Sequence, residues 1–306
     1  MLQKNPHILL HIAVFLFGFT AIIGKLLSLD AYSLVWWRML ISSFVFLVFP
    51  GFFSKLKALN TRQIVLFMAI GILVAAHWVT FYGSIKAANS VSLTLACFGL
   101  TASFTSVIEP LILGQRIRKG ELFLGAIAFV GLYCIYLSAP HMEAAPEQVY
   151  IAIILGVVSS FLAALFSSLN ARYIKEVHPI PVTFLELLGG AVVMLLFFGL
   201  IPSVSLSSIS YGPDLLWLLI LTVVCTNLAF VLNLFALKKV SAFTANIAIN
   251  LEPIYGIILA VLIFNENKNL NSWFYMGALI ILATVFAHPI MNRVSRRRLQ
   301  KKEQTP

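Results

Sequence analysis

Charge is scarce in this chain. Of its 306 residues, 10% are Asp, Glu, Lys or Arg and 60% are hydrophobic, whereas a water-soluble domain carries about 25% charged residues. That leaves too little polar surface to cover a globule, so a soluble fold is excluded. Aspartate is nearly missing. Asp30 and Asp214 are the two present, far apart in sequence, and a magnesium-dependent prenyl- or phosphotransferase needs clustered carboxylates. Cysteine is also rare: Cys97, Cys134 and Cys225 all lie in apolar stretches with no close pair, which argues against a disulfide framework or a zinc knuckle. His7 and His11 are four apart but have no acidic neighbour to complete a metal site. No phosphate-cradling glycine loop occurs, which excludes direct coupling to ATP. Neither a cofactor nor a metal is expected.

What is abundant is apolar sequence, enough for roughly nine crossings at about 20 residues each, with a mean hydropathy of +0.98. Reading the windows in order gives ten spans: 7–26, 32–49, 64–83, 91–113, 122–137, 150–171, 181–201, 215–236, 242–264 and 273–291. The apolar run after Lys4 resembles a signal peptide, but no small-residue cleavage site follows it, so it reads as a retained first span. The linkers are short, those at 138–149 and 202–214 being about a dozen residues each, and hold no separate domain.

The formal net charge of +10 would suggest nucleic acid in a soluble protein. Here it marks topology. Sorting Lys and Arg by alternate loops puts 17 of 21 on one side, from Lys55, Lys57 and Arg62 through Arg116, Arg118 and Lys119 to the basic tail of residues 291–306. By the positive-inside rule, both termini are expected in the cytoplasm of a multi-pass protein of the plasma (inner) membrane. The expected partners are therefore the lipid bilayer and a small molecule, not nucleic acid.

Shifting the chain by 152 residues lays Ser84-Ile85-Lys86 over Ala236-Leu237-Lys238 and Gly125 over Gly277. Each segment runs from the end of a third span towards a fifth. Five is odd, so a second five-helix unit must enter the membrane inverted relative to the first, an arrangement used by secondary transporters that bind substrate between the halves. The fold class is thus all-α integral membrane, with one repeat over 7–138 and the other over 150–290.

Particular residues extend this reading. Phe17-Gly18 with Lys25, Arg38 in the second span, Pro253, Glu266 within Ile263-Phe264-Asn265-Glu266, and Gly277 together resemble the EamA-type transporters of the drug/metabolite transporter superfamily. The first repeat departs from that pattern, with Gln115 where a glutamate is common and Thr101 or Ala102 where a proline is. The resemblance implies a secondary transporter exporting amino acids or related amphipathic metabolites by alternating access. The competing class is a membrane-embedded enzyme acting on a lipid-linked substrate. Proton coupling and homodimer formation are both left open.

Ionisable groups at depth cost about 2.5 to 3.5 kcal/mol each on insertion scales and so should face a partner or a pathway. Glu252, beside the helix-breaking Pro253, is the first choice for substrate binding or coupling; pairing internally to lock two helices is its alternative role. Glu109-Pro110 repeats the dipeptide nearer the cytoplasmic end of the fourth span, and Glu186 lies about as deep in the seventh. Either a gate or proton role or snorkelling to the interface fits both. Arg38 is suited to an acidic group, since a guanidinium holds a carboxylate bidentately, and Lys25 would add to a positive outer vestibule. His77, Trp78 and Tyr82 form an aromatic stripe that would either line a site or pack. Asn227, Asn246 and Asn250 would hydrogen-bond a substrate or fasten helices. The Gly156, Ser160, Ala164, Ser168 series is read as packing.

Overall fold

The computed structural model describes residues 5–174, 177–200, 212–237, 248–249 and 251–303, and among these every regular element is helical. In chain order they are α1 (Pro6–Leu26), α2 (Ala31–Leu47), α3 (Phe52–Lys57), α4 (Thr61–Ala88), α5 (Val91–Phe98), α6 (Thr101–Leu113), α7 (Lys119–Ser138), α8 (Pro146–Tyr173), α9 (Pro179–Leu200), α10 (Pro213–Leu219), a π-helix (Ile220–Leu228), α11 (Ala229–Leu237), α12 (Glu252–Phe264) and α13 (Ser272–Glu303). Seven segments are long and apolar enough to cross a bilayer, and three shorter apolar helices, Ala31–Leu47, Glu252–Phe264 and Ser272–Ala287, fall where the other spans are expected. The ten-span, two-repeat reading therefore describes the molecule.

Local chemistry sets the starts. Proline opens α1, α8, α9 and α10, a position that needs no N–H and suits its fixed φ. The Asp30 carboxylate accepts the amides of Tyr32 and Ser33 at the head of α2. Asn60 and Gln63 exchange side-chain and backbone hydrogen bonds at the head of α4, the reciprocal arrangement that satisfies two otherwise orphaned donors. Two features were not expected. The short α3 occupies the second linker, and α13 continues as helix through the basic tail to Glu303.

The repeats interleave rather than sit side by side. In the first, α1 packs on α11 and α12 of the second; in the second, α8 packs on α4, α5 and α6 of the first. Like also pairs with like, α2 on α9 and α7 on α13, while α4 packs on α9 and α2 on the π-helix. Each is the pairing that an inverted duplication generates from its partner. In the α7 on α13 contact, Gly131 and Gly277 face each other, and a Cβ on either would meet the other's carbonyl oxygen at 2.8 Å or less. Gly277 thus finds its symmetric neighbour in Gly131, not in the Gly125 that the 152-residue shift places over it.

The fourth span is discontinuous. It breaks at Gly99-Leu100 between α5 and α6, while Pro110 lies inside α6 and does not interrupt it. The break in the ninth span falls at Leu251, next to Glu252 and Pro253. The helices after the two breaks start at Thr101 and Glu252, 151 residues apart and one short of the 152-residue shift, and inverted-repeat carriers place such discontinuous helices at their binding sites.

One end of the bundle, here called the Lys25 end, is tied across the repeats by polar contacts. The Glu266 carboxylate of the second repeat accepts the Val91 and Ser92 amides at 2.9 and 2.8 Å, the Ser90 hydroxyl at 3.1 Å and the Lys25 ammonium at 2.9 Å. It caps the N-terminus of α5 from outside that helix. Lys25 also donates to the Asn89 carbonyl and Lys86 to the Leu27 carbonyl, while Asp214 accepts from the Ser28 amide at 3.0 Å and from its hydroxyl. Lys25 is therefore neutralised by Glu266 and does not add free positive charge beside Arg38, as the sequence suggested.

Burial alone would raise the Glu266 carboxyl, but donors at Ser92, Lys25 and Val91 outweigh it and hold it below the usual carboxylate range. A depressed folded value contributes stability above the ordinary carboxylate range of about 4.3, and that contribution is lost as pH falls through the folded value. Glu266→Gln is expected to lower stability at neutral pH by about 1–3 kcal/mol and to flatten the acid limb. Thermal unfolding of the detergent-solubilised protein from pH 7 down to pH 3 checks both.

Candidate functional site

Arg38 is the eighth residue of α2 and is 3% exposed. Its Nε donates to Thr226 Oγ1 at 3.0 Å and its Nη1 to the Tyr82 hydroxyl at 2.6 Å. The guanidinium lies 3.7 Å from the centre of the Trp78 ring and 5.8 Å from that of Tyr82, positions that favour a desolvated cation over an aromatic face. Nη2 donates to no acceptor among the described residues. Arg38 is thus held on one side by stacking and two hydrogen bonds, with part of its fork unused.

Each neighbour has a local reason to be there. Trp78 and Tyr82 are four apart on α4 and so share a face. Gly24 of α1 faces the Tyr82 ring, where a Cβ would come within 2.1 Å of Cε1, so the ring sits where a larger side chain would stand. The Tyr82 hydroxyl reaches the Thr20 carbonyl at 3.4 Å. Thr226 belongs to the nine-residue π-helix, where its hydroxyl donates to the Leu221 carbonyl five residues back at 2.7 Å. The wider π turn brings both Thr226 and Asn227 to α2, and such segments recur at functional sites. The Asn227 amide donates to the Ser42 carbonyl at 3.0 Å, one turn along α2 from Arg38. Asn227 Oδ1 and Ser42 Oγ are both buried without a hydrogen-bond partner, which leaves polar capacity where the π-helix meets α2.

Glu252 stands at the break in the ninth span, at the head of α12. Arg38 and Glu252 act on each other electrostatically without forming a direct ion pair. The α1 helix reaches this point closely: a Cβ on Gly18 would lie 3.3 Å from the Gly256 nitrogen and 3.5 Å from the Glu252 carbonyl. The structure therefore brings Arg38, Trp78, Tyr82 and Thr226 together, with Asn227 at Ser42 one turn along α2 and Glu252 and His77 in electrostatic reach.

The remaining candidates make their direct contacts elsewhere. His77 Nδ1 bonds to the Ser159 carbonyl and hydroxyl, both at 2.9 Å, and its ring packs among Phe81, Phe98 and Phe166. It fastens α4 to α8. Glu109 is half-buried in α6, and the charged group acting on it is Glu121 of α7. Asn246 and Asn250 lie outside the described residues. The small-residue series on α8 packs as read, with Gly156 against Cys97 and the Ser160 hydroxyl on the Cys97 carbonyl at 2.8 Å. Sequence reasoning missed Thr20 and Ser42, and it had no signal for the π-helix that presents Thr226.

Comparison with known proteins agrees with this architecture. The chain is 27% identical over 267 residues to the uncharacterized inner membrane transporter YicL of Salmonella typhimurium, covering 85% of this chain and 83% of that one. It is 26% identical over 210 residues to an uncharacterized transporter of Archaeoglobus fulgidus, covering 68% and 72%. A solved crystal structure with 15% sequence identity superposes at a TM-score of 0.63 over 95% of this chain and 98% of that one. The EamA-like transporter family matches twice, over residues 5–137 and 150–287. That family is one of transporters, so the membrane-embedded enzyme alternative is set aside. Two matched repeats, covering most of the sequence, place this multi-pass membrane protein in the EamA-like transporter family.

Proposed function

We propose that the chain is an inner-membrane exporter of small amphipathic metabolites bearing an acidic group, amino acids foremost, working by alternating access with both termini in the cytoplasm. The observation that carries this reading is Arg38, a buried cation stacked on Trp78 with unused donors. A guanidinium with an open fork suits a carboxylate, and the adjoining aromatic rings suit an apolar side chain. Glu252, across from Arg38 without touching it, suits the ammonium of a zwitterion. The helix breaks beside Glu252 and at Gly99-Leu100 fall where carriers with inverted repeats bind substrate.

Counterflow in proteoliposomes tests this reading. Labelled amino acids are expected to enter liposomes preloaded with the same unlabelled compound and to be recovered chemically unchanged. Glu252→Gln is expected to weaken transport of an amino acid by roughly 10-fold or more, in line with about 1.5–3 kcal/mol for a hydrogen bond to a charged group, while affecting the matching acid without an amino group far less. Equal transport of both compounds by wild type and variant would overturn the role given to Glu252.

A further inference from the structure

A second buried ionisable group stands apart from Arg38. Glu186 is the eighth residue of α9, as Arg38 is the eighth of α2, and α2 and α9 are the second helices of their repeats. The inverted duplication thus puts a guanidinium and a carboxyl at matching depths from opposite faces. Glu186 is 8% exposed.

Its surroundings hold no compensating charge among the described residues. From α8 the Asn170 amide faces the carboxyl. From α4 the backbone of Gly71 lies against the Glu186 backbone, from α2 Met39 lies against Gly190, and from α3 Phe52 packs on Phe184. Two acceptor oxygens are left there without a donor, Glu186 Oε1 and Asn170 Oδ1. Buried acceptors are almost always satisfied, and an ionised carboxylate brings acceptors only, whereas a protonated one brings an O–H. A proton on Glu186 would supply a donor where the described residues offer these acceptors none.

We propose that Glu186 is the proton-binding site of this carrier, holding its proton beside Asn170 while the carboxyl is buried and releasing it to water when this end of the bundle opens. The step is a plain acid dissociation: the carboxyl O–H breaks, the electron pair stays on Oε1, and the proton passes to water at the end of the bundle opposite Lys25. The coupling role rests on the transport reading above; the protonation itself does not.

Two measurements separate these. Infrared difference spectra of the full chain in liposomes, titrated from neutral to alkaline pH, are expected to show a protonated-carboxyl C=O band that disappears on titration, is absent in Glu186→Gln, persists in Glu252→Gln and shifts in Asn170→Leu. Persistence of the band in Glu186→Gln, or no such band in wild type, overturns the proposal. For coupling, an imposed pH gradient is expected to drive labelled amino acid accumulation by wild type, and the ratio of gradient-driven uptake to counterflow is expected to fall at least fivefold in Glu186→Gln. An undiminished ratio overturns the coupling role. If wild type shows no amino acid counterflow, the substrate reading falls instead, and the infrared band alone decides whether Glu186 binds the proton.

Discussion

Arg38→Lys is expected to abolish most transport while leaving the protein folded. Lysine keeps the positive charge but loses the planar fork that bonds Thr226 and Tyr82 while stacking on Trp78. An ammonium at the end of a flexible stem binds as a point charge and cannot reproduce those directed contacts together with a bidentate grip on a carboxylate. Counterflow should drop by roughly 10- to 100-fold, the equivalent of about 1.5–3 kcal/mol of lost charge-assisted hydrogen bonding. The unfolding temperature should change less than in Arg38→Ala, which leaves the Trp78 and Tyr82 faces without their partner. Near wild-type counterflow in Arg38→Lys would mean that charge alone matters at this position, and the assignment of a carboxylate fork would fail.

The second large effect concerns folding. Gly71→Ala is expected to destabilise the protein by about 3 kcal/mol or more, the upper range for overpacking. A Cβ at position 71 would lie 2.0 Å from the Glu186 carbonyl oxygen and 2.7 Å from its carbon. Both are backbone atoms of a long helix and have no rotamer through which to escape. The crossing is tight from the other side too, since Gly189 faces the Met68 backbone and Gly190 faces Met39 and the Gly71 carbonyl. Gly125→Ala is the control: the nearest atom to its added Cβ is Ser103 Cβ at 3.8 Å, so it should be neutral or slightly stabilising, because alanine is the better helix former. Thermal unfolding in detergent should separate the two variants clearly. Equal stability would show that α4 and α9 can move apart at little cost.

Much of the fold was legible because the bilayer imposes a simple rule. Long apolar runs become helices, and scarce charges at depth announce themselves, which is how Arg38 and Glu252 stood out. The break at Gly99-Leu100 was not legible, since glycine within an apolar run is common and the visible proline in that repeat, Pro110, lies inside a continuous helix. The π-helix was equally silent, because adding one residue to a turn leaves apolar composition unchanged. Periodicity reports which face a side chain is on, not what that face meets, so it left His77 open between lining a site and packing; its partner Ser159 is 82 positions away. Lys25 misled for the same reason, its partner Glu266 being 241 positions distant. Long-range pairing settles the role of a polar residue, and a single sequence does not print it.

The cap that Glu266 places on α5 has a consequence for how the Lys25 end could ever open. Cap and helix belong to different repeats, so parting the repeats there withdraws the carboxylate from the Val91 and Ser92 amides and from the Lys25 ammonium in one motion. What is uncovered is a cluster of hydrogen-bond donors, the Val91 and Ser92 amides, the Ser90 hydroxyl and the Lys25 ammonium, that has lost its carboxylate. A mouth built in this way at the Lys25 end would be basic only while open, drawing an anionic group into contact just when the pathway is exposed and losing that attraction as the carboxylate returns.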